Sequence, residues 1–163
     1  MKLDTVAADG TARHDVGPSF AELYRAQYGA MVRLANLLTA SNTVAEELVQ
    51  DAFVRVHGKW DQINTPAAYL RAAVVNACRS HHRRRLLERT RLPRPPAEAS
   101  APAPDELWDA LARLPYRQRA VLVLKFYEDM AELDIAAALG CRPGTVKSLT
   151  SRALVELRKV IEP

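Results

Sequence analysis

A proline-rich segment in the middle of the chain limits its possible folds more than any other feature of the sequence. Five prolines stand between Leu92 and Pro104, at positions 93, 95, 96, 102 and 104, with alanines among them. Because proline lacks the backbone N–H that helix interiors and sheet ladders require, this composition favours an extended, semi-rigid linker. The sequence therefore predicts two folding units, residues 19–91 and 105–163, joined by a linker over residues 92–104.

Helical signals dominate both units, and no alternating strand pattern stands out in either. Ser19 and Glu22 have the spacing of a capping box, in which two side chains satisfy free backbone N–H groups at a helix start. Thr43 and Glu46 predict a second capping box, and Thr65–Pro66 predicts the start of a third helix. The predicted fold class is therefore all-α, with two bundles of about three and four helices.

Composition excludes several classes of protein. The two cysteines, Cys78 and Cys141, form no C-x-x-C pair and have no histidine at zinc-site spacing, so we expect no metal and no cofactor. No apolar run approaches the roughly 20 residues that cross a bilayer. The first 18 residues lack the apolar stretch of a signal peptide and predict a flexible tail. We therefore expect a cytoplasmic protein without membrane insertion.

Positive charge is concentrated just before the linker. The stretch from Arg79 to Arg94 holds seven arginines and two histidines against one acid, Glu88, although the formal net charge of the whole chain is only +4. Such a cluster is typical of a nucleic-acid-binding surface, whose affinity falls steeply as salt rises. The alternative interpretation of this run is a solvated, disordered basic linker.

The most specific pattern is a helix-turn-helix between Glu132 and Leu157. Its first helix has no side-chain cap at Ala131 and ends at Gly140, a residue suited to the left-handed C-cap. The apolar residues predicted to face inward on this first helix are Leu133, Ile135, Ala136 and Leu139.

The second helix of the motif, which follows Pro143, divides into two faces. Its apolar side holds Val146, Leu149, Ala153 and Leu157, and its polar side holds Lys147, Ser148, Ser151 and Arg152. A DNA recognition helix requires this division, because one face packs on the partner helix and the other enters the major groove. A helical hairpin with a solvated charged face is the alternative.

Three segments of the chain, taken in order, carry a family resemblance. Residues 135–148, IAAALGCRPGTVKS, are followed by Arg152 and Ala153; residues 45–56 are AEELVQDAFVRV; residues 69–80 are YLRAAVVNACRS. The first resembles the region-four helix-turn-helix of the extracytoplasmic-function (ECF) sigma factors of bacterial RNA polymerase. The second resembles their polymerase-docking helix in region two, and the third resembles the promoter-melting part of region two. The third segment is most similar to the actinobacterial SigE-like subgroup.

The resemblance implies a non-enzymatic initiation factor that binds core RNA polymerase, recognises and melts promoter DNA, and starts transcription. It implies contacts with the clamp helices of the β′ subunit and the flap of the β subunit, and an anti-sigma factor would cover the same surfaces. The implied polymerase-binding residues are Glu46, Glu47, Leu48, Gln50, Asp51 and Phe53. The implied −10 residues are Asn76, Arg79, Ser80, Arg83, Arg84 and Arg85. The implied −35 residues are Lys125, Arg142, Gly144, Thr145, Lys147, Ser148, Ser151 and Arg152.

Two other classes of function compete with this interpretation. A stand-alone helix-turn-helix regulator would bind duplex DNA directly, but the N-terminal half offers no ligand-pocket signature. An enzyme is disfavoured, because the adjacent His81 and His82 point to different helix faces and no catalytic motif accompanies them.

Overall fold

The computed structural model of the chain describes residues 17–91 and 106–162. The predicted tail as far as residue 16, and the predicted linker over residues 92–104, lie outside the described residues. All regular structure within the two described ranges is helical, which confirms the all-α fold class. In these ranges no helix has both the length and the apolar character needed to cross a membrane.

The described residues form seven α-helices in two groups. The first bundle comprises α1 (Phe20–Thr39), α2 (Asn42–Gly58) and α3 (Pro66–Arg91), and the second comprises α4 (Glu106–Arg113), α5 (Tyr116–Leu122), α6 (Glu132–Leu139) and α7 (Pro143–Ile161). A 3-10 turn over Trp60–Gln62 precedes α3, and a π-helical turn over Val123–Tyr127 follows α5. In that π turn the N–H of Glu128 donates to the carbonyl of Val123, five residues earlier.

The starts of α1 and α2 test the two predicted capping boxes. At α1 the backbone N–H of Ser19 donates to Glu22 Oε2 at 2.6 Å and the N–H of Glu22 donates to Ser19 Oγ at 3.2 Å, so this box is confirmed. The box at Thr43 and Glu46 is wrong. Ser41 is the N-cap of α2, so Thr43 lies inside the first turn, and Glu46 accepts a bond from the Asn42 side chain instead.

The basic run is helical as far as Arg91, so the alternative of a disordered linker is wrong for residues 79–91. Alanine, leucine and arginine are all strong helix formers, which explains why the helix continues past the end of the apolar pattern. At about 1.5 Å per residue, α3 is about 39 Å long.

The two bundles pack against each other and share one continuous buried apolar cluster. Leu38 of α1 and Leu70 of α3 are fully buried on one side, as are Leu124 and Ile135 on the other. Helix α1 contacts α4 and α5, and α3 contacts α6. The described fold is therefore a closed form, in which the helix-turn-helix lies beside the basic helix.

Candidate nucleic-acid interface

Helix α7 presents its predicted polar face to solvent. Val146 and Ala153 are buried while Leu149 and Leu157 are partly buried, so the predicted apolar side is confirmed. Arg142, Gly144, Lys147, Ser151 and Arg152 are exposed, whereas Thr145 and Ser148 are half-buried. The Ser148 hydroxyl donates to the carbonyl of Thr145 at 3.0 Å, which leaves its oxygen able to accept a further bond.

The two ends of α6 match their sequence predictions. Gly140 has φ 61, the left-handed conformation expected at a helix C-cap. Ala131 makes no side-chain cap bond at the start of α6. The prediction that Leu133 faces inward is wrong, because 71% of this residue is exposed while Ile135 and Ala136 fill the interface.

Glu132 lies between two of the lysines assigned to the −35 face. Its Oε1 is 3.1 Å from Lys125 Nζ, and its Oε2 is 3.9 Å from Lys147 Nζ. One carboxylate therefore holds both ammonium groups in place and offsets part of their charge. The sequence interpretation missed Glu132, although its position seven residues after Lys125, at the start of the helix-turn-helix, was visible.

Helix α3 has three distinct faces, which follow from its rotation of about 100° per residue. Leu70, Val74 and Ala77 face the core of the first bundle. Asn76, Ser80, Arg83 and Arg84 are exposed on an outer face. Arg71, Arg79, His82, Arg85 and Arg89 lie on a third, inner face turned toward the second bundle.

The six residues assigned to −10 binding are therefore not all presented alike. Asn76, Ser80, Arg83 and Arg84 lie together on the outer face. Arg79 is half-buried, and its Nη1 donates to the carbonyl of Ala138 in α6 at 3.4 Å. Its guanidinium also lies against Gly140, where a Cβ would overlap it. Arg85 lines a cleft between the bundles. Two of the six assigned residues, Arg79 and Arg85, therefore face the second bundle in the closed form.

Other inner-face contacts join the bundles. Arg71 Nε forms an ion pair with Glu128 Oε2 at 2.9 Å. The ring of His82 stacks on that of Tyr116 with 4.1 Å between centroids. Burial and the nearby Arg119 charge lower the pKa of His82, so its ring is predominantly neutral at pH 7. A neutral imidazole stacks there without adding to the positive charge.

Arg119 of α5 is the most deeply placed polar link between the bundles. Only 8% of it is exposed, and its Nε and Nη2 donate to the carbonyl of Leu38 in α1 at 3.2 and 2.9 Å. Its Nη1 donates to the carbonyls of Ala112 and Leu114 at the end of α4. The free carbonyls of two helix C-termini, where the helix dipoles are negative, thus stabilise one buried cation.

The acidic face of α2 is open to solvent. Glu46, Glu47, Gln50 and Asp51 are exposed, and Leu48 is half-buried. Phe53 does not lie on this surface: it is 3% exposed and packs among the rings of Phe20, Tyr24 and Tyr28. We therefore correct its assignment from polymerase contact to core packing.

Val54 is a surface residue of α2 that the sequence interpretation missed. It is 71% exposed, and its spacing of seven and three residues from Glu47 and Asp51 places it on the same helix face. An aliphatic group next to carboxylates suits a protein contact better than a purely solvated face, and its heptad spacing from Glu47 was visible in the sequence. No group of three or more His, Cys, Asp or Glu side chains that could hold a metal is present in the described ranges.

Comparisons with known proteins agree with this geometry. The model of the Sigma-70 region 2 family matches residues 23–86, and that of the Sigma-70, region 4 family matches residues 105–157. RNA polymerase sigma-E factor of Streptomyces avermitilis is 36% identical over 88% of this chain and 85% of its own length. ECF RNA polymerase sigma factor SigM of Mycobacterium tuberculosis is 30% identical over 94% of this chain and 84% of its own.

A solved structure is also similar. The sigma factor RpoE of Bartonella quintana, in complex with the anti-sigma factor NepR, has a TM-score of 0.68 and 26% identity over 88% of this chain and 96% of that one. Because the region-two match accounts for the N-terminal bundle, a stand-alone helix-turn-helix regulator is not favoured. The chain belongs to the ECF sigma factors of the SigE-like type, and its function is that of an alternative sigma factor directing promoter recognition.

Proposed function

We propose that α7 reads the −35 element, the outer face of α3 binds the −10 strand, and the acidic face of α2 docks on the clamp helices of core polymerase. The observation that carries this proposal is the division of α7. Lys147, Ser151 and Arg152 are exposed opposite a buried apolar side. A helix held in this way projects long cations and short hydroxyls, which suit guanine edges and phosphates.

The outer face of α3 has suitable chemistry for single-stranded DNA. Asn76 and Ser80 offer both donors and acceptors to an unpaired base, and the neighbouring Arg83 and Arg84 offer charge to its phosphates. Capturing a flipped base costs a few kcal/mol of lost stacking and pairing, which such contacts offset.

Residues 19–91 and 105–163 would act as separate domains, with residues 92–104 connecting them. The −35 and −10 elements are separated by roughly 25 base pairs, or about 85 Å of B-form DNA. In the closed form Arg79 contacts α6, two residues before the turn of the helix-turn-helix, so the two reading surfaces are neighbours. Both elements can be bound together only after the bundles separate.

Polymerase and promoter DNA place this activity in the cytoplasm. The bundled form of this chain resembles a sigma factor that was solved with an anti-sigma factor. We therefore extend the proposal to a protein antagonist that holds the bundles together and covers their polymerase-binding surfaces.

Run-off transcription with bacterial core polymerase on a pool of promoter fragments tests the proposal. The chain should produce new transcripts, and the double variant Glu47→Lys/Asp51→Lys should lose both transcripts and co-elution with polymerase. Glu156→Lys/Glu162→Lys carries the same charge change on α7 and at its C-cap, and is the matched control for docking.

The −35 assignment has its own test in the same system. Lys147→Ala/Arg152→Ala should retain co-elution with polymerase and lose about 100-fold in −35-dependent output, since each base contact contributes about 1–3 kcal/mol. If native protein neither co-elutes with core polymerase nor changes its products, the docking and promoter roles assigned to these residues are wrong.

A further inference from the structure

An open cleft of about 640 Å³ lies where the two bundles meet. Its walls come from the C-terminal end of α1, the second half of α3, the turn between α4 and α5, and the first turn of α5. Leu38, Leu86, Leu114 and Leu149 supply apolar surface. This volume is within the range of small-molecule sites, which often form between domains.

Among the described residues, the charged side chains that line this cleft are all cationic. They are Arg85, Arg89, Arg117 and Arg119, and no aspartate or glutamate of the described ranges lines the cleft. Arg119 is bonded to carbonyl dipoles and has no ion pair with a carboxylate of the described residues, so its charge is not neutralised. Such a cleft focuses a positive potential that attracts anions.

Aromatic surface lines the same cleft. The ring of His82 stacks on that of Tyr116 with 4.1 Å between centroids, and both residues line the cleft beside the leucines. The flat faces of such rings suit a planar aromatic ligand.

We propose that this cleft binds a nucleotide, with its phosphates at the arginines and its ring among the leucines and the Tyr116 and His82 rings. Arg85, Arg89 and Arg117 offer planar, multidentate donors, which phosphate oxygens match well. The leucine surface and the stacked rings of His82 and Tyr116 then suit a flat base. A longer peptide fits less well, because the cleft has the volume of one small molecule.

The nucleotide would act as a regulator, a consequence that rests on the proposed promoter function. It would contact α1 and α3 of one bundle and α5 of the other, so it binds the closed form more tightly than the open one. A ligand with that difference in affinity shifts the population toward the closed form. Transcription directed by this chain should therefore fall as the nucleotide concentration rises.

Calorimetric titration of the full-length chain at about 0.15 M salt, near physiological ionic strength, tests binding without polymerase or DNA. We expect ADP to bind saturably at one site, adenosine to bind at least about tenfold more weakly because it lacks the charge-assisted bonds, and pyrophosphate to bind more weakly than ADP because it lacks the ring. Pyrophosphate binding as tightly as ADP would overturn the nucleotide assignment.

Variants separate a built site from general basicity. Arg89→Ala/Arg117→Ala should weaken ADP binding more than tenfold. The matched control, Arg33→Ala/Arg158→Ala, removes the same charge from exposed positions outside the cleft and should leave ADP binding unchanged.

Two outcomes overturn the nucleotide site, whatever the fate of the promoter proposal. One is the absence of saturable ADP binding. The other is an equal loss of affinity in the cleft variant and its control, which would show general attraction to a basic protein. ADP binding that fails to reduce run-off transcription would overturn only the regulatory consequence.

Discussion

The two helices proposed to face promoter DNA are presented very differently in the closed form. Helix α7 leaves Lys147, Ser151 and Arg152 exposed, with its buried apolar residues on the opposite side. Helix α3 uses Arg71 and Arg79 for contacts with the second bundle. The −35 surface is therefore available as it stands, whereas Arg79 of α3 is released from the second bundle only when the bundles separate. The same density of arginine in a sequence can thus serve DNA on one helix face and an internal interface on another.

Among the substitutions that test this comparison, Arg119→Ala should have the largest effect, because it weakens the contact between the two bundles. The substitution removes donors to the carbonyls of Leu38, Ala112 and Leu114, so we expect the free energy of unfolding to fall by about 2–4 kcal/mol and the bundles to separate more often. Cys78 is a built-in reporter of separation, since it lines the cleft between the bundles and burial raises the pKa of its thiol to about 12. In a Cys141→Ser background, Arg119→Ala should accelerate the maleimide labelling of Cys78 at least about tenfold, if it lowers the free energy of bundle separation by about 1.4 kcal/mol.

Arg117→Ala is the matched control for Arg119, because Arg117 lies two residues earlier on α5 and is exposed. It should change the unfolding free energy by less than about 0.5 kcal/mol and leave Cys78 labelling slow. Equal labelling rates in the two variants would mean that Arg119 does not hold the bundles together.

Glu132→Gln tests the −35 surface on α7, and we expect it to have a smaller effect. The change releases Lys125 and Lys147 from a shared carboxylate, so affinity for −35 duplex should rise about 2- to 5-fold, in keeping with the modest strength of partly exposed ion pairs. The salt dependence of binding should steepen as well, because more lysine charge is available to phosphates. Fluorescence anisotropy with a −35 duplex at several salt concentrations measures both.

Glu156→Gln is the control for this experiment, since Glu156 pairs with Lys159, three residues away on the same helix. It should not reproduce the gain at the −35 duplex. Weaker binding by Glu132→Gln would instead show that the carboxylate positions the lysines more than it neutralises them.

The smallest effect should be a loss of closed-form stability in acid. Burial, with the charges of Arg85 for His81 and Arg119 for His82, lowers the pKa of both imidazoles. A histidine with a lowered pKa binds fewer protons in the closed form, so its contribution is complete above about pH 6.5 and is lost as pH falls below that value. His82 faces Tyr116 and Arg119 of α5 and Arg85 and Arg89 of its own helix, so protonation adds a cation to a cationic site.

Cys78 labelling at pH 7.5 and 5.5, corrected for the thiolate fraction with an unfolded peptide, measures this dependence. His82→Phe keeps the ring stacked on Tyr116 and removes the titration, so it should flatten the pH response. An unchanged response in His82→Phe would assign the effect to other groups.

Local chemistry was readable from the sequence wherever it depended on near neighbours. Ser19 and Glu22 cap α1 as predicted, and Gly140 has the left-handed conformation that its position before Pro143 suggested. The capping box predicted at Thr43 was wrong because Ser41, two residues earlier, is the N-cap of α2. The inward position predicted for Leu133 was wrong, because the rotation of α6 that buries Ile135 and Ala136 leaves Leu133 exposed.

Contacts between the bundles could not be predicted in this way. Arg119 bonds a carbonyl 81 residues away, and a backbone carbonyl carries no side-chain signature in the sequence. The division of the basic run into outer and inner faces was visible from its helical spacing, but which face meets the second bundle depends on how the bundles dock. The buried Phe53 shows the same limit, because an aromatic residue on a docking helix suits either a partner or a core.

Chemical cross-linking of the closed form tests the central claim most directly. Arg71→Cys/Glu128→Cys, in a Cys141→Ser background, replaces an ion pair that joins α3 to the second bundle and can be bridged with a short bismaleimide. The bridged protein should fail to support run-off transcription, while each single-cysteine variant treated with the same reagent remains active. If the bridged protein starts transcripts as well as the singly labelled ones, the bundles need not separate to recognise a promoter, and the account of the closed form is wrong.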